Sequence, residues 1–225
     1  MLLYHLDRFS ALPQGKDIDL FPLDMIPQNY RNTEFFREFP DGLSSHGLNH
    51  IKTSCPYLQS KIIAGIDFLE AKSVFGQISN LNSSLMEQTL ELVRRSQFPG
   101  SPSRFQSFFA VKELDEFKKW PELLDPTLYP KTQIFELSVP DSTPCFDANF
   151  LRGGLMCGVD PHKHETEKYY IGYLPIDCFN FAYKYWSGEA SEDPRWEYLI
   201  RLPIPGVSVK VVNYFETEEK TYSQP

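Results

Sequence analysis

Apolar and polar positions alternate over residues 1–9 in the manner of a strand, and Pro13, Gln14 and Gly15 supply the turn that follows. Residues 24–55 mix polar, Pro and Gly positions without a lasting period, which predicts an irregular excursion with a short helix over 33–39. Leu58, Ile62, Ile66 and Leu69 recur at helical spacing and predict a helix within 57–75. A clearer helix is expected from Ser84, because Ser84 and Glu87 have the spacing of a capping box. It carries Leu85, Leu90, Leu92 and Val93 to a cationic end at Arg94 and Arg95, where the helix dipole favours positive charge. Phe98-Pro99-Gly100-Ser101-Pro102 then ends it.

Beyond that stop the pattern predicts a strand over 103–110, a short helix over 113–120, a strand over 133–139 and a helical turn over 145–151. A charged loop is expected at 160–168 and a strand at 169–174. The helix predicted over 177–189 is crowded with rings: Phe179, Phe181, Tyr183, Tyr185 and Trp186. Strands over 196–202 and 207–215 follow, then a polar tail at 216–225. Strands at both ends with helices between them predict an α+β class. The expectation is one domain over 1–225 with irregular insertions near 24–55 and 140–170.

Composition sharpens this picture in three ways. A 41% apolar and 23% charged chain of 225 residues is ordinary for a folded protein and excludes a disordered one. A formal net charge of −8 argues against a protein that coats nucleic acid through excess positive charge, although a local groove for a nucleic-acid end remains open. No stretch reaches the roughly 20 apolar residues of a bilayer span, and the N-terminus is too soon charged for a secretion signal. With four well-separated cysteines and no C-x-x-C pair, the expectation is a cytoplasmic protein with free thiols and no membrane association.

The common phosphate-loop, dinucleotide, hydrolase and zinc-protease motifs are absent from the sequence. His46 and His50 have the spacing of two ligands on one helix face, but their segment reads as a poor helix without a third ligand, so no metal is expected. Asp160-Pro161-His162-Lys163-His164-Glu165 reads as a charged loop, and Cys157 and Cys178 as buried structural thiols.

Three separated blocks remain. The first is Leu3-Tyr4-His5 with Leu12-Pro13-Gln14-Gly15. The second runs from Glu91-Leu92-Val93-Arg94 through Phe98-Pro99-Gly100-Ser101-Pro102-Ser103-Arg104-Phe105. The third joins Tyr185-Trp186-Ser187-Gly188 to Arg195-Trp196-Glu197-Tyr198-Leu199-Ile200. In this order they resemble the first strand, the Pro-Ser-Arg strand and the late Glu strand of the ADP-ribosyltransferase superfamily, in a bacterial, toxin-like branch. The resemblance covers residues 1–12, 87–110 and 178–212.

The resemblance implies a split mixed or antiparallel β core with surrounding helices. It also implies a mono-ADP-ribosyltransferase that uses NAD as substrate and needs no metal. Cleaving the nicotinamide–ribose bond builds oxocarbenium-like charge, as glycoside cleavage does, and a carboxylate bonded to a ribose hydroxyl stabilises that charge. Glu197, an acid in an apolar strand, is the catalytic candidate; its bland alternative is an acid on the polar face of that strand. His5, Ser103, Arg104 and Tyr185 (or Tyr183) are the implied cofactor-binding residues. His5 would bond the adenosine ribose, Ser103 and Arg104 would brace the pocket with Arg104 on the pyrophosphate, and the tyrosine would stack on nicotinamide. Glu189 is the rival acid. The superfamily often has an acidic or polar residue two positions before the catalytic Glu, where this chain has Arg195, so arginine-specific modification is disfavoured. The implied acceptor is an intracellular macromolecule, protein or nucleic acid, with a neutralising antitoxin as an implied partner. Two alternatives stay open: an NAD glycohydrolase, and a catalytically silent interaction module of the same fold.

Overall fold

A computed structural model describes residues 1–7, 12, 15–26, 28–54, 74–120, 132–152, 158–159, 170–171 and 175–212. β1 (Leu2–Asp7) and β3 (Gln133–Ser138) pair antiparallel with Leu3 opposite Leu137 and His5 opposite Phe135, and β8 (Val209–Val212) adds to the far edge of β3, giving the order β1-β3-β8. A second antiparallel sheet, in the order β2-β7-β4, joins β2 (Ser107–Ala110), β7 (Trp196–Arg201) and β4 (Cys145–Asp147). The two sheets touch where Tyr4 and Val111 exchange backbone hydrogen bonds of 2.8 Å in each direction. A two-stranded ribbon pairs β5 (Gly158–Val159) with β6 (Tyr170–Ile171).

Side-chain period two along β7 sorts its residues between two cores. Ile200 packs with Leu3, Phe108, Phe135 and Leu137 between the sheets. Leu199 points the other way, into a layer formed by α4 (Val74–Gln97) and α5 (Pro175–Ser187), where it meets Leu90, Val93, Tyr185 and Trp186. The indole Nε1 of Trp186 donates to the Leu90 carbonyl at 2.7 Å, so the polar atom of this buried ring is satisfied.

A third cluster surrounds Phe105. The helices α1 (Gln28–Arg31), α2 (Glu34–Arg37) and α3 (Ser45–Ser54) lie in the segment read from sequence as irregular. Ile26, Phe36, Phe39, Leu43 and Ile51 close on Phe105 there. Gly47 makes the approach of α3 possible: a Cβ at this position would lie 2.5 Å from the Phe105 carbonyl oxygen.

The α+β expectation holds, with helices packed on antiparallel sheets. The strands at 133–138 and 196–201 and the ring-rich helix lie within two or three residues of their predicted bounds. Four local readings change. The helix carrying Ser84 begins by Val74, so Ser84 and Glu87 are a buried pair inside it rather than its cap. The strand expected from 103 starts at Ser107, because Arg104–Gln106 forms a 3-10 turn capped by Ser103. The run containing His46 and His50 is helical, and the turn expected over 145–151 is β4 followed by a 3-10 turn at Ala148–Phe150. The helix predicted within 57–75, apart from residues 74 and 75 at the start of α4, the loop at 160–168, Cys157 and the tail at 216–225 lie outside the described residues. Among the described residues, no helix is long and apolar enough to cross a membrane.

Candidate functional site

At the seam between the sheets, a cavity of about 220 Å³ is lined by His5 from β1, Phe109 from β2, Glu197 from β7, His46 from α3, and Arg104 and Trp120. The sheet geometry explains why strands so distant in sequence meet here. The Tyr4–Val111 bridge holds β1 against the end of β2, and Glu197 sits one residue beyond the last β2–β7 pair, Ala110 with Tyr198. The His5 ring rests 3.7 Å from the Phe108 ring centroid, and its Nδ1 meets the Phe109 carbonyl oxygen at 2.6 Å. A carbonyl oxygen only accepts, so the proton is on Nδ1 and, in the neutral ring, Nε2 is an acceptor.

Beneath the cavity is a buried ionic network. Ser103 caps the 3-10 turn by accepting from the Phe105 amide and donates its hydroxyl to Glu91 Oε2 at 2.9 Å, which ties the turn to α4. Arg104 is thereby driven inward. Its Nε and Nη2 donate to the two oxygens of Glu87 at 2.9 and 3.1 Å, while its Nη1 donates to the Tyr185 hydroxyl at 2.8 Å and to Glu197 Oε1. Tyr185 adds its own hydroxyl hydrogen to the same Glu197 oxygen at 2.6 Å. Both bonds fall on Oε1, so Oε2 has no hydrogen-bond partner among the described residues.

The charges in this network support one another. Burial pushes the Glu87 carboxyl up, but the Arg104 guanidinium, helped by His46, outweighs it and holds Glu87 well below the usual carboxylate range. Burial alone would lower the Arg104 value; Glu197 and Glu87 outweigh it and raise it further above neutrality. Burial raises the Tyr185 hydroxyl well above its ordinary value, so it stays a donor. His46 Nε2 lies 3.2 Å from Glu87 Oε1, close enough for an ion pair but not aligned for a hydrogen bond.

Of the residues singled out from sequence, His5, Arg104 and Glu197 line one cavity. The other candidates are placed differently. Tyr185 is fully buried, its ring stacked 4.9 Å from Phe146 and edge-on to Trp186, so it reaches Glu197 only through its hydroxyl and has no face for a nicotinamide. Tyr183 is half exposed and packs edge-on to Phe98, away from the cavity. Ser103 lines a separate cavity of about 260 Å³ with Arg94 and Arg201. All three guanidinium nitrogens of Arg104 are engaged by two carboxylates and a phenol. Glu189 is exposed and pairs with Lys184 at 2.8 Å.

Sequence reasoning missed Glu87, His46 and Trp120. Glu87 had a local explanation as a capping residue, and His46 was weighed only as a metal ligand. The one available signal for Trp120 was its position at the end of a short helix of mixed polarity. Among the described residues, no group of three His, Cys, Asp or Glu side chains is placed to hold a metal ion. Burial pushes the Cys145 thiol up to about 11, the reverse of an activated nucleophile.

The profile of a family described as "Protein of unknown function (DUF2441)" matches residues 3–214, which include every element around the cavity. Comparison with curated proteins finds no match.

Proposed function

The chain belongs to the DUF2441 family, and for it we propose an NAD-dependent ADP-ribosyltransferase activity on a macromolecular acceptor, within an ADP-ribosyltransferase-like fold. The observation that supports this reading most is the convergence of His5 and Glu197. They come from strands of different sheets, 192 positions apart in the chain, and line a single aromatic-walled cavity. Glu197 Oε2 accepts a hydroxyl of the nicotinamide-side ribose. As the bond from ribose C1′ to the nicotinamide nitrogen breaks and its electron pair leaves with neutral nicotinamide, the carboxylate faces the developing positive charge. Arg104 and Tyr185 fix the other oxygen, so Glu197 needs little reorganisation at that moment. Phe109, Phe117 and Trp120 exclude water and offer flat apolar faces to the leaving ring. His5 Nε2 accepts a second sugar hydroxyl. An oxygen or nitrogen of the acceptor then bonds to C1′ and loses its proton.

Incubation with labelled NAD and fractionated cell extract tests this. Expected are nicotinamide release and labelled macromolecule, both lost in Glu197→Gln, with NAD still raising the melting temperature of that variant. An unlabelled extract together with Glu197→Gln kinetics equal to wild type rejects it. Free ADP-ribose without labelled macromolecule selects NAD hydrolysis instead.

One observation favours a second reading. Glu197 is already neutralised by a buried guanidinium, as in a purely structural network that fastens α4 to the second sheet. On that reading the chain is an interaction module, and NAD fails to raise its melting temperature at any concentration.

A further inference from the structure

We propose that an open groove beside the cavity is a phosphate-binding subsite. The groove has a volume of about 800 Å³ and is lined by Lys119, Arg152, Arg195, Asn149, Ser191 and Asp193, with Glu192 at its edge. It shares its walls with the cavity, because the same three chain segments build both. Lys119 faces the groove and Trp120 the cavity; Arg152 faces the groove and Leu151 the cavity; Arg195 faces the groove and Glu197 the cavity. A molecule held against Glu197 therefore has this groove as its immediate neighbour.

The groove's charge is opposite to that of the chain. Three cations face two carboxylates here, in a protein whose formal net charge is −8. Arg152 is exposed and has no ion-pair partner among the described residues. The Lys119–Asp193 pair is exposed, and such pairs contribute little, so an anion recruits the lysine at small cost. The Arg195 guanidinium lies over the Trp120 ring, 3.9 Å from its centroid, which holds the cation at the boundary between groove and cavity.

The walls are also held rigid. Asp147, with no exposed surface, accepts from the backbone amides of Asn149, Ser191 and Arg195 at 2.9, 2.7 and 3.0 Å. Asn149 Nδ2 donates to the Ser191 hydroxyl at 2.9 Å and to the Asp193 carbonyl at 2.6 Å. Those bonds fix the backbone beside Arg152 and Arg195, whose guanidinium groups, with Lys119, form charge-assisted bonds with a phosphate entering the groove.

Phosphate recognition as such rests on the groove alone. Assigning that phosphate to the dinucleotide or to its acceptor rests on the proposed function. The test is calorimetric titration of the whole chain with inorganic pyrophosphate at low and high salt. It uses wild type, Arg152→Ala and Lys119→Ala, with circular dichroism to check the fold. Expected is saturable binding that weakens with salt and falls about tenfold or more in each variant. Absence of saturable binding, or affinity unchanged in both folded variants, overturns the subsite. NAD titration of Arg152→Ala separates the sources. A matching loss of NAD affinity supports the subsite as the seat of the dinucleotide's own diphosphate. Unchanged NAD affinity, with pyrophosphate still binding beside NAD, supports it as the seat of an acceptor phosphate. Failure of NAD to bind at all rejects the proposed activity, while the pyrophosphate arm still decides the groove.

Discussion

Replacing Arg104 with Met probes the buried network directly. The side chain is of similar length, so packing is largely kept, but Glu87 and Glu197 lose the cation between them. All three side chains are within a few percent of complete burial. Removing one partner from such a network costs about 3–5 kcal/mol, because uncompensated charge stays buried. At about 2–4 °C per kcal/mol for a chain of this size, the melting temperature falls by roughly 10 °C. The loss depends on pH. In wild type the folded Glu87 value is depressed, so its stabilisation is complete above the ordinary carboxylate range and is lost only as pH falls towards the folded value. In Arg104→Met, burial without a cation raises the folded carboxylate values. That variant therefore regains stability as pH falls and is weakest above neutrality. Urea unfolding at pH 5 and pH 8 reads both effects, and the gap between wild type and variant is expected to narrow at the lower pH. A loss under about 1 kcal/mol, or one equal at both pH values, refutes the account of this network as a buried ionic lock.

Three further predictions concern the elements that hold the site. Burial lowers the His50 imidazole to about 4 from its ordinary 6.5, so the unfolded chain takes up a proton in that window that the folded one refuses. Stability is expected to drop by up to about 3 kcal/mol as pH falls from 6.5 to 4, and His50→Phe to flatten that slope in urea melts; identical slopes would contradict it. Asp147→Ala strips the acceptor from three amides and is expected to cost about 3 kcal/mol, with faster hydrogen exchange at Ser191 and Arg195. Exchange at wild-type rates there would show that the loop is held by something else. Gly47→Ala gains about 1 kcal/mol of helix propensity, yet its methyl must push α3 off the Phe105 carbonyl, so a net loss of about 1–3 kcal/mol is expected in thermal melts. A more stable variant would mean that α3 yields freely.

The sequence by itself determined the class of the fold and many of its pieces. The apolar strand runs at 133–138 and 196–201 and the rings of α5 are local properties, legible because those side chains must leave water. For the same reason Glu197 stood out: an acid among apolar strand neighbours demands a partner wherever the strand lies. Only the tertiary structure decided which faces meet. Spacing three apart suits both a helix cap and two residues on one helix face, and the cap expected at Ser84 and Glu87 gives way because α4 continues through them. The same limit hid the partnership of Glu87 with Arg104 and the burial of Tyr185 beneath Glu197. Hydrophobic pattern fixes what is buried; contacts between segments tens to hundreds of residues apart fix what each buried polar group is bonded to, and so what chemistry it can perform.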